Sequence, residues 1–138
     1  MTAILAFPLL LIPFALYNII AFIFGTDFTA PVFDLPMLSG LRLPLSIGDL
    51  LITLGILLLY VEILKSTRLS TRAITDHVLS LLLFIAMTGE FMIVQRAGTS
   101  TFFLLVVLSF VDVIGGFSVT IRTAQRDLAV DGVDRLHS

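Results

Sequence analysis

Residues 101–121 read TFFLLVVLSFVDVIGGFSVTI, and Asp112 is the only formal charge among them. A run this long and this apolar matches a helix across the hydrocarbon core of a bilayer, which takes about 20 residues. An ionised carboxylate in its middle costs about 2.5–3.5 kcal/mol even on the most lenient insertion scale. Asp112 therefore requires a partner, a water-filled cavity or a bound proton, and such a residue marks a functional site by default.

The rest of the chain has the same character. Of its 138 residues, 58% are hydrophobic and 13% charged, and the mean hydropathy is +1.12. Soluble domains average about 45–50% apolar and about 25% charged. The length accommodates about four spans of ~20 residues with short connections, and no separate soluble domain. The net charge of −2 offers no basic surface for nucleic acid. The absence of cysteine excludes disulfide exchange, thiolate metal sites, iron–sulfur clusters and thiol nucleophiles. His77 and His137, the two histidines, argue against an intramembrane bis-histidine haem. No nucleophile–base constellation, His-rich metal motif or Gly-rich phosphate loop is present, so neither an enzyme nor a cofactor is expected. The N-terminus lacks a positive n-region and an A-x-A site, so residues 3–24 read as a retained span.

The predicted fold is all-α, an antiparallel up-down bundle of four transmembrane helices in a single domain over 1–138. The spans fall at 3–24, 48–64, 76–94 and 101–121, with an outer loop at 25–47 and a tail at 122–138. Pro8 suits a first turn and Pro13 should kink span 1. In the outer loop, Pro31–Leu38 and Leu41–Leu45 flank Ser39-Gly40, which suggests a short β-hairpin or extended flap. Pro36 and Pro44 limit it to irregular or edge pairing. The loop reads as a lid across the helix ends, or else as a docking surface for another protein. Asp49 suits the first turn of span 2, and Glu62 forms a local i,i+3 pair with Lys65. Thr75 is the expected N-cap of span 3, with Asp76 and His77 in a capping and interface role. Arg122 and Arg126 suit an interfacial anchor, and Asp131-Gly132 a helix stop.

Basic residues are distributed unevenly. The second loop and the C-terminal side hold Lys65, Arg68, Arg72, Arg122, Arg126 and Arg135, against Arg42 and Arg96 on the other side. The positive-inside rule then gives an N-in/C-in topology with the hairpin outside.

With that topology, helical rise puts Asn18, Thr53, Glu90, Ser109 and Asp112 about 9, 8, 10, 12 and 16 Å below the outer boundary. Polar groups in a span should turn inward. Helical spacing gives three shared faces: Asp49, Thr53, Ile56 and Tyr60; Ser80, Leu83, Met87 and Glu90; Ser109, Asp112, Gly116 and Thr120. The expected site is a protonatable pair, Asp112 and Glu90, hydrogen-bonded by Asn18, Thr53 and Ser109. The plainer reading of the same residues is interhelical glue.

Several stretches resemble small, uncharacterised four-span inner-membrane proteins of proteobacteria, particularly alphaproteobacteria. They are Leu16-Tyr17-Asn18, Gly48-Asp49-Leu50-Leu51, Glu62-Ile63-Leu64-Lys65-Ser66-Thr67-Arg68, Asp76-His77, Gly98-Thr99-Ser100-Thr101-Phe102-Phe103 and Asp112-Val113. The resemblance covers most of the chain and implies a multi-pass protein of the bacterial inner (plasma) membrane, with no activity attached. Length and span count are also similar to small multidrug transporters, but their essential first-span Glu is replaced here by Asn18. Two functions are expected to compete. One is a non-enzymatic accessory or assembly subunit of a larger membrane complex, in contact with the lipid bilayer and with other membrane subunits or itself. The alternative is a homo-oligomeric proton- or cation-coupled small transporter or channel using Asp112 and Glu90. On the topology, a reporter fused at Ser39-Gly40 is expected to read as external; a cytoplasmic readout would overturn it.

Overall fold

The computed structural model describes residues 7–68 and 71–137, with backbone alone for 71–73. Ala3–Ala6 of the expected first span, Leu69-Ser70 and the Arg72 side chain of the second loop, and Ser138 lie outside the described residues. Helix α1, Leu11–Asn18, runs on into a π-helical turn, Ile19–Phe24. Strands β1 (Pro31–Pro36) and β2 (Arg42–Ser46) follow, then helices α2 (Ile47–Lys65) and α3 (Thr71–Ile93). A 3₁₀ turn, Gln95–Ala97, leads into α4, Ser100–His137. Three helices, α2, α3 and α4, are long and apolar enough to cross a membrane, whereas α1 with its π-turn, Leu11–Phe24, is shorter.

Pro13 does not kink a longer helix, as the sequence suggested; it lies in the first turn of α1. There its missing N–H would be an orphan in any case, so the ring is tolerated. The turn is entered by tight bonds from Leu11 N to Pro8 O and Ile12 N to Leu9 O, both 3.0 Å. One turn before the π-turn, the Asn18 side chain donates to the Phe14 carbonyl at 3.0 Å. A side chain inserted into the backbone ladder is a recognised cause of local widening. Gly25, at φ 62°, ends the turn in the left-handed region that only glycine enters freely.

In the following loop, Asp27 accepts from the Thr29 N–H at 2.9 Å and the Thr29 hydroxyl at 2.8 Å. These two donors hold its carboxyl below the usual carboxylate range. They therefore support the turn above that range, and the support is lost as pH falls through the lowered value.

The hairpin is antiparallel, with Asp34 opposite Pro44 and Pro36 opposite Arg42, and a register irregularity between Pro31 and Phe33. Both prolines are tolerated because each strand has an unpaired edge. Gly40, at φ 87°, closes the turn, with its N–H on the Met37 carbonyl at 3.0 Å. Every residue of β1 is exposed, whereas Leu45 and Ser46 at the helix end of β2 are half-buried. Strand β2 shares an open cleft with the starts of α2 and α4, lined among others by Leu43, Leu45, Ile52, Thr53, Thr101 and Leu104. Ser46 and Asp49 exchange side chain–backbone bonds at 3.1 and 2.9 Å, a capping box that starts α2.

Two helix boundaries differ from expectation. Helix α3 starts at Thr71 rather than after Thr75, so the connection to it is shorter. Helix α4 does not stop at Asp131-Gly132 but continues to His137. Ala124, Gln125, Arg126, Leu128 and Ala129 are good helix formers, and Asp131 lies one turn before Arg135. Together they outweigh one interior glycine, which costs about 1 kcal/mol.

Helix α4 is central and packs against α1, α2 and α3, whereas α2 and α3 hardly touch each other among the described residues. Contacts between α2 and α4 climb in parallel: Gly48 lies at Thr101, Gly55 at Leu105 and Leu108, and Ile63 at Gly115. Those between α3 and α4 run oppositely: Phe91 meets Phe102 and Phe103, Phe84 meets Phe110, and His77 meets Phe117. The inward face of α2 is Gly48, Leu51, Gly55, Leu59 and Glu62. The expected inward set of Asp49, Thr53, Ile56 and Tyr60 is exposed. Glycine at two of the inward positions lets α4 approach, and Thr53 is satisfied by donating to its own helix at Asp49 O, 2.7 Å. Large side chains such as Ile56, Leu57, Leu82, Phe103 and Ile114 point outward, as a lipid-facing surface requires.

At the hairpin end the core is aromatic. Tyr17 is fully buried, stacked on Phe28 at 4.3 Å and edge-on to Phe102 at 4.8 Å. Its hydroxyl donates to Arg96 O at 2.9 Å and therefore accepts the Thr99 hydroxyl at 2.7 Å. The Thr99 Oγ1 also caps α4 by accepting from Phe102 N at 3.1 Å.

These contacts separate the glycines. A Cβ at Gly48 would collide with the Thr101 hydroxyl and lie 3.0 Å from the Phe28 carbonyl, while one at Gly132 meets nothing within 4 Å. Gly48→Ala should destabilise the protein by about 1–3 kcal/mol. Gly132→Ala should stabilise it by about 0.5–1 kcal/mol. Thermal unfolding in detergent micelles distinguishes the two.

Candidate functional site: a polar cavity between three helices

The five residues expected to share one layer do not meet. Asp112 is only 4% exposed and lies across from Ser80. Glu90 is ten positions further along α3, about 15 Å at helical rise, so the two carboxylates form no pair. Each depth was counted from its own span boundary, whereas the true level is set by interdigitating side chains along α3 and α4. Glu90 instead lies beside Asn18. Its Oε2 is buried with no hydrogen-bond partner. Ser109 shares the buried face of α4 with Asp112, but its Oγ has no hydrogen-bond partner. Thr53 faces outward. Among the expected contacts, only Asn18–Glu90 is made across helices.

Asp112 has other company. A cavity of about 10 Å³ lies in the seam that α2 and α3 leave against α4. Helix α2 contributes Glu62, Lys65 and Ser66 to its wall, α3 contributes Asp76, His77 and Ser80, and α4 contributes Asp112. Every wall residue is polar or charged. Close approach at this level depends on Gly116, where a Cβ would lie 3.1 Å from both His77 Cε1 and Ser66 Oγ.

Two hydrogen-bonded chains fix the walls. In the first, Glu62 Oε1 accepts from Leu9 N at 2.7 Å and from Lys65 Nζ at 3.0 Å, and Nζ also donates to Phe7 O at 2.9 Å. The local Glu62–Lys65 pair is thus made, and it also holds the start of α1. In the second, Thr120 Oγ1 donates to Ser66 O at 3.0 Å, capping the end of α2, and lies 2.8 Å from His77 Nε2. A carbonyl can only accept, so the single Thr120 proton is committed to Ser66. His77 Nε2 must then carry the proton it shares with Thr120, which leaves Nδ1 as the lone-pair nitrogen. The imidazole is 8% exposed and stacks on Phe117 at 4.6 Å. Asp76 Oδ1 is buried with no hydrogen-bond partner.

Sequence reading missed this assembly because it assigned Glu62, Asp76 and His77 to separate local roles. A signal was available. Glu62, Lys65 and Ser66 recur at helical spacing at the end of α2, as do His77 and Ser80 in α3, on the side where Gly116 and Thr120 continue the Asp112 face. Tyr17, the most enclosed polar side chain at the opposite end, entered the sequence reading only through the Leu16-Tyr17-Asn18 stretch.

Thr120→Val should leave the Ser66 carbonyl and the His77 N–H unpaired and lower stability by about 1–3 kcal/mol. Thr120→Ser, which keeps the hydroxyl, should lose much less; equal losses in denaturation midpoints would show that packing of the methyl group, not the hydrogen bonds, matters.

No protein-family model matches the chain, and no curated protein or solved structure matches it either.

Proposed function

We propose that the chain is a four-span, N-in/C-in protein of the bacterial inner membrane that serves as a non-enzymatic accessory or assembly subunit of a larger membrane complex. The observation that carries this reading is the hairpin. Val32, Phe33, Leu35, Met37, Leu38, Leu41 and Leu43 are all exposed on a two-stranded sheet with no covering layer. Isolated apolar side chains on a surface need no explanation, but a contiguous apolar projection suits a protein–protein contact. Both strands also present an unpaired edge to which a partner could add. Three long apolar helices with outward-facing aliphatic residues support residence in a bilayer. The resemblance to small four-span inner-membrane proteins agrees with that location.

A second reading, proton- or cation-coupled transport by a homo-oligomer, is favoured by the enclosed polar cavity at Asp112. It would use Asp112 with the groups around the cavity, since Glu90 is remote.

One comparison tests the first reading against the second. Protein expressed at its native level and purified in mild detergent should carry other membrane chains with it. Replacing Leu38 and Leu41 together by Asp should release those chains while the protein remains inserted. Purification as a single species that drives proton- or cation-dependent flux in liposomes would reject the subunit reading in favour of the second.

A further inference from the structure

The cavity at Asp112 has an unusual charge inventory. Its walls carry three carboxyl groups, Glu62, Asp76 and Asp112, against one ammonium, Lys65. That ammonium is already engaged by Glu62 and the Phe7 carbonyl. Glu62 is likewise occupied, by Lys65 and by the Leu9 N–H. Among the described residues Asp112 makes no ion pair and lies beside Ser80, and Asp76 keeps one buried oxygen without a hydrogen bond. His77 supplies the one neutral nitrogen base in the wall, at the Nδ1 left open by the Thr120 contact. The charged groups facing Asp112 and His77 are thus Glu62 and Lys65 from α2 and Asp76 from α3; α4 faces them with the neutral Thr120 and Phe117.

The volume of about 10 Å³ matches one water molecule, which needs roughly 10–15 Å³ and two to four polar partners. A metal ion suits the site less well. Lys65 already places a cation in the wall, and among the described residues no three Asp, Glu or His side chains converge to hold a metal.

We propose that this cavity binds one water molecule, and that the water passes a proton between Asp112 and Nδ1 of His77. The carboxylic acid of Asp112 gives its proton to the water as the water gives one of its own to Nδ1. The products are a carboxylate, an imidazolium and an unchanged water, and the reverse transfer balances in the same way. The exchange goes beyond the subunit role and holds whether or not protons cross the bilayer.

The test uses the full-length protein in lipid vesicles. Infrared difference spectra across pH should show a carboxylic-acid carbonyl band that shifts in deuterated water and is lost in Asp112→Asn. Nitrogen NMR of wild-type His77 should show the Nε2–H tautomer at high pH. Its Nδ1 should change protonation over the same pH interval as the Asp112 band. Gly116→Ala, whose methyl would crowd the imidazole, should separate the two titrations. A wild-type His77 in the Nδ1–H tautomer, or independent titration of the two groups in wild type, would overturn the proposal. So would a midpoint that moves when sodium replaces potassium, because a cation site would then be the better description. The wild-type NMR result decides the matter even if Asp112→Asn fails to fold.

Discussion

The carboxylate of Glu62 is the contact on which the rest of the structure depends. Helix α1 starts beside the end of α2, and its first amides have no partners within the helix. An unpaired amide is costly away from water. Glu62 accepts the Leu9 N–H, and its negative charge suits the positive end of the α1 dipole. Lys65 balances that charge and takes the Phe7 carbonyl. One ion pair thus sets where α1 begins, and with it which residue of α1 reaches the far end. That residue is Tyr17, whose hydroxyl ties the helix to the 95–99 turn.

The two ends of the bundle are held by different physics. Near the hairpin, Tyr17, Phe28 and Phe102 fill space, and the few polar atoms among them satisfy one another. At the Glu62 end, small residues and hydrogen bonds do the work of packing, through Ser66, Ser80, Gly116 and Thr120. An aromatic cluster tolerates no change of charge but needs none. A hydrogen-bonded seam with surplus carboxyl groups responds to every proton gained or lost.

Much of this architecture was legible in the sequence. The long apolar runs located α2 and the start of α4 closely, and Ser39-Gly40 marked the turn of the hairpin. The Ser80–Leu83–Met87–Glu90 face of α3 does turn inward. The parts that were not legible have specific causes. Thr53 looked like an inward polar group because its bond to its own backbone cannot be seen in a pattern of letters. The extension of α4 was hidden by one Asp-Gly pair that resembles a helix stop. Asp112 was matched with Glu90 because composition gives the number of carboxylates but not the stagger between helices. That stagger is decided by aromatic contacts such as Phe84–Phe110, which carry no label of their own. The cavity combines residues far apart in the chain, each with an adequate local explanation.

Helix α4 has 38 residues and so measures about 57 Å, nearly twice the hydrocarbon thickness of a bilayer. Its ladder is unbroken from Ser100 to His137. It is therefore more than a wall of the cavity. The ladder that carries Asp112 also carries Leu128, Val133 and Leu136, whose side chains are exposed. Along that reach lie Gly115 and Gly116, packed against Ile63, Ser66 and His77, and Gly132, which faces open space. One helix thus joins a buried carboxyl group to an exposed apolar surface several turns away.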